Sequence, residues 1–142
     1  GQCLGAGNRK GFVQLTRRLF AYGLGLALVF TLVYVAGGPH LLRLFTDQQR
    51  VVETALAYLP YTFAIPLCGF AAFLFDGLYI GATATRGMLV SSLVAAAFYF
   101  LLALSLLGVV GNHALWVAYL CFLSMRGGAQ YAIWKCKIIA KV

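Results

Sequence analysis

From Gly87 to Met125 the sequence carries no Lys, Arg, Asp or Glu, and a run of that length fixes the solvent of the fold. Roughly 20 apolar residues cross a ~30 Å hydrocarbon core, so this run holds two crossings. Gly108-Val109-Val110-Gly111-Asn112-His113 supplies the turn between them. Two further stretches qualify. Leu19–Gly37 is uncharged, and Thr54–Thr85 is interrupted only by Asp76. Four spans result, at about 19–37, 56–82, 88–110 and 113–134, the last carrying Arg126. Helix is the open-chain structure that satisfies its own backbone in lipid, and runs this long exclude barrel strands. The fold class is therefore all-α: a polytopic membrane protein with four transmembrane helices, one membrane domain over residues 1–142. Only 10% of the residues are charged, against roughly a quarter in an ordinary soluble domain. So apolar a chain cannot cover itself with polar surface in water.

The charges that exist are sorted. Of the 11 Lys and Arg residues, Arg9, Lys10, Arg17, Arg18, Arg86, Lys135, Lys137 and Lys141 fall on one side of the four spans. The other side has Arg43 and Arg50, offset by Asp47 and Glu53. The positive-inside rule then predicts a multi-pass protein of the cell inner (plasma) membrane with both ends cytoplasmic. It also explains the formal charge of +8 without nucleic acid, since no basic stripe accompanies a polar domain. The opening Gly1-Gln2-Cys3, without Met, reads as the tail of an earlier element, so the remaining helices of a longer protein are expected partners alongside the lipid bilayer. Cys3, Cys68, Cys121 and Cys136 form no C-x-x-C pair and have no His at metal-ligand spacing. They read as small hydrophobes, with no metal site or cofactor implied.

Local signals place the helix ends. Gly37-Gly38-Pro39 is expected to stop the first span. Thr46-Asp47-Gln48-Gln49 fits a capping box, with Thr46 as N-cap, Asp47 in the first turn and entry into lipid near Leu56. Within the spans, Asp76 is the only acid. A carboxylate in lipid costs at least ~2.5 kcal/mol, so it calls for a cation, a proton or a basic partner, unless its place ~10 Å toward the cytoplasm from the span centre leaves it wet. Arg126 is the only base well inside a span. Pairing with another helix, Asp76 included, and a substrate or gating role both fit it. Pro66 removes the hydrogen bond to Thr62 and predicts a kink that can serve as a hinge. Gly77 and Gly81 make a G-x-x-x-G beside Asp76, which predicts close helix contact there. Tyr79 and Arg86 are the supporting polar residues nearby. Walker, G-x-S-x-G and H-E-x-x-H motifs are absent from the sequence, so no enzyme is indicated.

Several segments, in order, resemble one family. Gly1-Gln2-Cys3-Leu4-Gly5-Ala6-Gly7-Asn8 is similar to the G-Q-x-x-G-A-G-N stretch that closes a helix in each half of MATE (multidrug and toxic compound extrusion) transporters. Leu44-Phe45-Thr46-Asp47 resembles the L-F-T-D-type loop after the next helix. Asp76-Gly77-Leu78-Tyr79-Ile80-Gly81-Ala82-Thr83-Ala84-Thr85-Arg86 resembles the D-G-x-x-x-G-x-x-x-x-R run of the DinF branch, and Asn112, Leu115-Trp116 and Arg126-Gly127 its last helix. The resemblance implies the last four of twelve helices, in the C-terminal lobe. It implies efflux of small organic compounds by alternating access, driven by Na⁺ or H⁺, with Asp76 at the place of a tenth-helix Asp that takes part in cation binding in NorM-type members. The chain departs from that pattern at Ala72, one turn earlier, where NorM-type sites can offer a Tyr. Two other readings carry different expectations. A lipid or polysaccharide flippase of the same superfamily would line its cavity with several basic residues. A non-transporting membrane subunit would use Asp76 and Arg126 only for assembly.

Overall fold

The fold is that of a computed structural model, which describes residues 2–137. Gly1 of the opening motif and Lys141 of the basic set lie outside the described residues. Helices follow one another with short joints: α1 (Gln2–Gly5), α2 (Arg9–Phe45), α3 (Gln49–Gly81), α4 (Thr85–Val110) and α5 (His113–Lys137). Among the described residues there is no strand. By length and composition α2 from Lys10, α3 and α4 can each cross a membrane, and the chain is an all-α polytopic membrane protein.

α5 differs from the expectation of a fourth apolar span. Its 25 residues reach roughly 37 Å, enough to cross, but it is less apolar than the other three and is not among the helices that meet the composition test. The reason is its inner face. Arg126 and Gln130 point at neighbouring helices and bond to them, so they lower the helix's mean hydropathy without facing lipid.

The helices pack in the order α2, α3, α5, α4, with α3 and α4 meeting only slightly and α1 resting on α2. α3 and α5 therefore form the middle of a row. Ala72, Phe75 and Tyr79 of α3 are buried, as are Leu123, Gln130 and Trp134 of α5. Gly127 allows the approach. A Cβ on it would lie 3.3 Å from both the Ala71 Cβ and the Ala72 backbone nitrogen. α4 packs on α5, and the buried residues of the two helices include the small Ser91, Ala95 and Ala103 of α4 and Ala114 and Ala118 of α5. Small side chains at helix contacts are how helices associate when lipid supplies no hydrophobic drive.

Two helix-end expectations are corrected. α2 does not stop at Gly37-Gly38-Pro39 but runs through them to Phe45. Pro39 removes one backbone bond, to Val35, and the helix bonds on either side of it stay in place. Gly38 is also where α3 leans on α2, a Cβ there meeting Leu59 Cδ2 at 2.8 Å. The capping box does not form either. Thr46 caps the C-terminus of α2, and its Oγ1 accepts from the Gln48 backbone at 3.3 Å. α3 then starts at Gln49, with Asp47 outside the helix, and the Gln49 side chain donates forward to Glu53 at 3.0 Å. The extended backbone of Thr46 (φ −156°, ψ 137°) ends one helix, and three residues leave too little chain for a box that opens the next.

α3 is continuous through Pro60 and Pro66. Beside Pro66, the Phe63 carbonyl accepts a 3.2 Å hydrogen bond from Thr31 Oγ1 of α2. The turn between α4 and α5 narrows to Gly111-Asn112, Gly108 staying helical. Gly111 has φ +58° and ψ −137°, a region open essentially to glycine alone.

The two ends of the row are unlike. Lys10, Arg17, Arg18, Arg86 and Lys135 all lie toward one end, with Arg43 and Arg50 toward the other. Near the less basic end, Tyr58 and Tyr61 of α3 stack on Trp116 of α5 at 5.8 and 6.0 Å. The Tyr61 hydroxyl lies 3.1 Å from His113 Nδ1. Aromatic groups with a polar tip are at home at a membrane–water boundary. The core proper sits toward the basic end, where Phe12 stacks on Trp134 (centroids 5.3 Å apart) and Tyr79 meets Trp134 edge-on at 5.4 Å.

Candidate functional site at an ion pair between the two central helices

Asp76 and Tyr79 stand one turn apart on α3, and Arg126 and Gln130 one turn apart on α5, so each pair shares a face. The close α3–α5 approach at Gly127 sets these faces against each other. One terminal nitrogen of Arg126 donates to both Asp76 oxygens, at 2.8 and 3.0 Å. Its Nε donates to Ser92 Oγ of α4 at 3.1 Å. The ion pair thereby links three helices. Its two side chains are 18% (Arg126) and 21% (Asp76) exposed, too little for water to offset either charge alone.

Gln130 completes the arrangement. It is fully buried, and its Nε2 donates to Asp76 Oδ1 at 2.6 Å. The Tyr79 hydroxyl donates to the Gln130 backbone carbonyl at 2.8 Å, fixing the α5 turn that carries the amide. Each Asp76 oxygen thus accepts from Arg126, and Oδ1 from Gln130 as well. The other arm of the amide, Oε1, is buried without a partner. Charge-assisted bonds of this kind are about twice as strong as neutral ones. Toward the basic end, Tyr79 and Trp134, both buried, pack one turn on from Asp76 and Gln130.

Of the residues singled out from the sequence, the structure brings Asp76, Arg126 and Tyr79 together. Arg86 is not among them: it is exposed in the first turn of α4. Gly77 does not mediate helix contact in this chain. A Cβ on it would meet nothing within 4 Å, and Gly77 and Gly81 instead line an apolar cleft of about 480 Å³ against Phe12, Leu15 and Leu19 of α2. The tight contact beside Asp76 is made by Gly127 from the other helix. Pro66 lies over two turns from Asp76 on α3 and takes no part in the pair. Ala72, where a Tyr would stand in the NorM-type pattern, is buried under α5 beside Gly127. A larger side chain there would push α5 away. Ser92 and Gln130 were not singled out from the sequence. Gln130 was legible in principle, one turn beyond Arg126 on the same face.

The MatE family profile matches residues 1–106. The chain is 37% identical over 135 residues to the DNA damage-inducible protein F of Escherichia coli (strain K12), a match covering 95% of this chain and 29% of that protein. No solved structure matches it significantly. Apolar helices of spanning length, a charge pair held between two of them and a family profile over most of the sequence agree: the chain belongs to the MatE family of membrane transporters, in its DinF-like branch.

Proposed function

We propose that the chain is the C-terminal part of a cation-coupled exporter of small organic compounds, working by alternating access. Asp76 exchanges Arg126 for an incoming H⁺ or Na⁺. The observation that supports this reading is the pair itself. A carboxylate and a guanidinium in the middle of an apolar row neutralise each other, and a cation arriving at Asp76 releases Arg126 from it. Because Arg126 keeps its bond to Ser92 of α4, its release from Asp76 loosens α5, with α4 attached, against α3. That is a local charge change acting on an element with two arrangements, which alternating access requires. The basic end faces the cytoplasm in this reading, and the rest of the protein supplies the opposite wall of the substrate cavity.

A flippase for anionic lipids is less well supported. It would need free cations in the cavity, and the Arg126 charge is already taken by Asp76.

The test is efflux from cells or vesicles carrying the full-length protein. Asp76→Asn keeps the shape and removes the charge. Ion-driven efflux is expected to be lost while the protein still reaches the membrane. Normal ion-driven efflux by Asp76→Asn would refute the reading.

A further inference from the structure

We propose that Gln130 is the positioning residue that lets Asp76 change its charge state within the membrane, by turning its amide over. The inference rests on the reading of Asp76 as the exchanging carboxylate. In the paired state the amide donates, Nε2 to Asp76 Oδ1 at 2.6 Å. A carboxylate that has taken up a cation no longer accepts well. A protonated one has an O–H to donate, and one bearing Na⁺ needs further oxygen ligands. The same amide serves both by rotating 180° about its terminal torsion. Oε1 then replaces Nε2 beside the carboxyl group, since the two arms are nearly the same shape and differ only in giving or accepting. The terminal torsion of Gln is broad and roughly two-fold, and an oxygen–oxygen distance of about 2.6 Å suits an O–H···O bond.

Two observations argue that this amide is free to turn. Its Oε1 is buried with no hydrogen-bond partner among the described residues, so no third group among them locks the orientation, and one arm lacks a partner whichever way it points. Its backbone, by contrast, is held by the Tyr79 hydroxyl at 2.8 Å. The stem is fixed by its own bond, and the head is held by the bond to Asp76. A glutamine needed only for packing would not leave a buried polar atom unsatisfied, a situation rare in folded proteins.

The experiment uses full-length wild type, Gln130→Leu and Asp76→Asn in proteoliposomes, with efflux driven by imposed H⁺ or Na⁺ gradients. Leu keeps the bulk and removes both hydrogen-bonding modes. The bond lost from the charged carboxylate is the stronger of the two, so the half-saturating cation concentration should fall about fivefold. The maximal rate should fall with it, because the cation leaves more slowly. In the wild type, infrared difference spectra with ¹³C-labelled glutamine should show one side-chain amide C=O band that moves on cation binding and is missing in Asp76→Asn. An unchanged half-saturation in Gln130→Leu, or no moving amide band in the wild type, overturns the proposal. If Gln130→Leu does not reach the membrane, the wild-type spectrum decides alone. Should Asp76→Asn uncouple transport while Gln130→Leu keeps the wild-type half-saturation, only the role of Gln130 falls. Should Asp76→Asn stay coupled, both readings fall.

Discussion

The ion pair of Asp76 and Arg126 ties α3 to α5, and pairing was one of the two roles the sequence left open for Arg126. They are 50 positions apart, and nothing in either helix's pattern says which face meets which. Contact between distant helix faces is decided by the fit of small residues, here Gly127 over Ala72. Gln130 escaped notice because a neutral amide carries no charge to stand out against an apolar run. The pair makes an asymmetric prediction. Removing one partner leaves a mostly buried charge, which destabilises by about 3–5 kcal/mol, whereas exchanging both keeps the charges matched. Arg126→Leu in the full-length protein should therefore lower the detergent-solubilised melting temperature and the amount reaching the membrane. The double exchange Asp76→Arg with Arg126→Asp should recover most of that stability but not ion-driven efflux, since the carboxylate then sits on the wrong helix. Thermal unfolding and efflux of the three proteins check this. Equal instability of the double exchange and Arg126→Leu would show that the pair is not what holds the three helices.

Helix existence was legible, and so was the joint between α4 and α5, but the end of α2 and the start of α3 were not. Uncharged length alone identifies α2, α3 and α4, because lipid leaves a long apolar chain no alternative to helix. The Gly37-Gly38-Pro39 stop failed because one lost bond leaves the helix bonds on either side in place, and the box at Thr46 was lost to the three-residue joint that ends α2. The glycine pair beside Asp76 misled as well: G-x-x-x-G permits close contact but does not say which neighbour arrives. Gly77 and Gly127 therefore make a paired test. Gly127→Ala puts a methyl 3.3 Å from the Ala72 backbone nitrogen, which cannot give way as a side chain can, and overpacking of this kind costs about 1–3 kcal/mol. Gly77→Ala meets nothing within 4 Å in this chain and replaces a poor helix former by the best, a gain of up to ~1 kcal/mol. Detergent melting curves of the two full-length variants should move in opposite directions. A drop for Gly77→Ala as large as for Gly127→Ala would mean that another helix of the full-length protein packs on Gly77.

The row α2–α3–α5–α4 is one-sided in charge, and that asymmetry carries a prediction about the whole protein in its membrane. Lys10, Arg17, Arg18, Arg86 and Lys135 lie toward one end, and basic residues next to a span are retained on the cytoplasmic side during insertion. Cys136, exposed at the basic end beside Lys135, reports that side directly, while Cys3, Cys68 and Cys121 are half-buried. In a full-length protein with its other cysteines replaced by alanine, Cys136 should react with a membrane-impermeant maleimide in inside-out vesicles or permeabilised cells and stay unlabelled in intact cells. Rapid labelling in intact cells would invert the orientation. It would also place the Tyr79–Trp134 core on the outer side of Asp76. On the proposed reading the direction of efflux depends on this measurement, since a cation that drives export has to reach Asp76 from the side to which the compound is expelled.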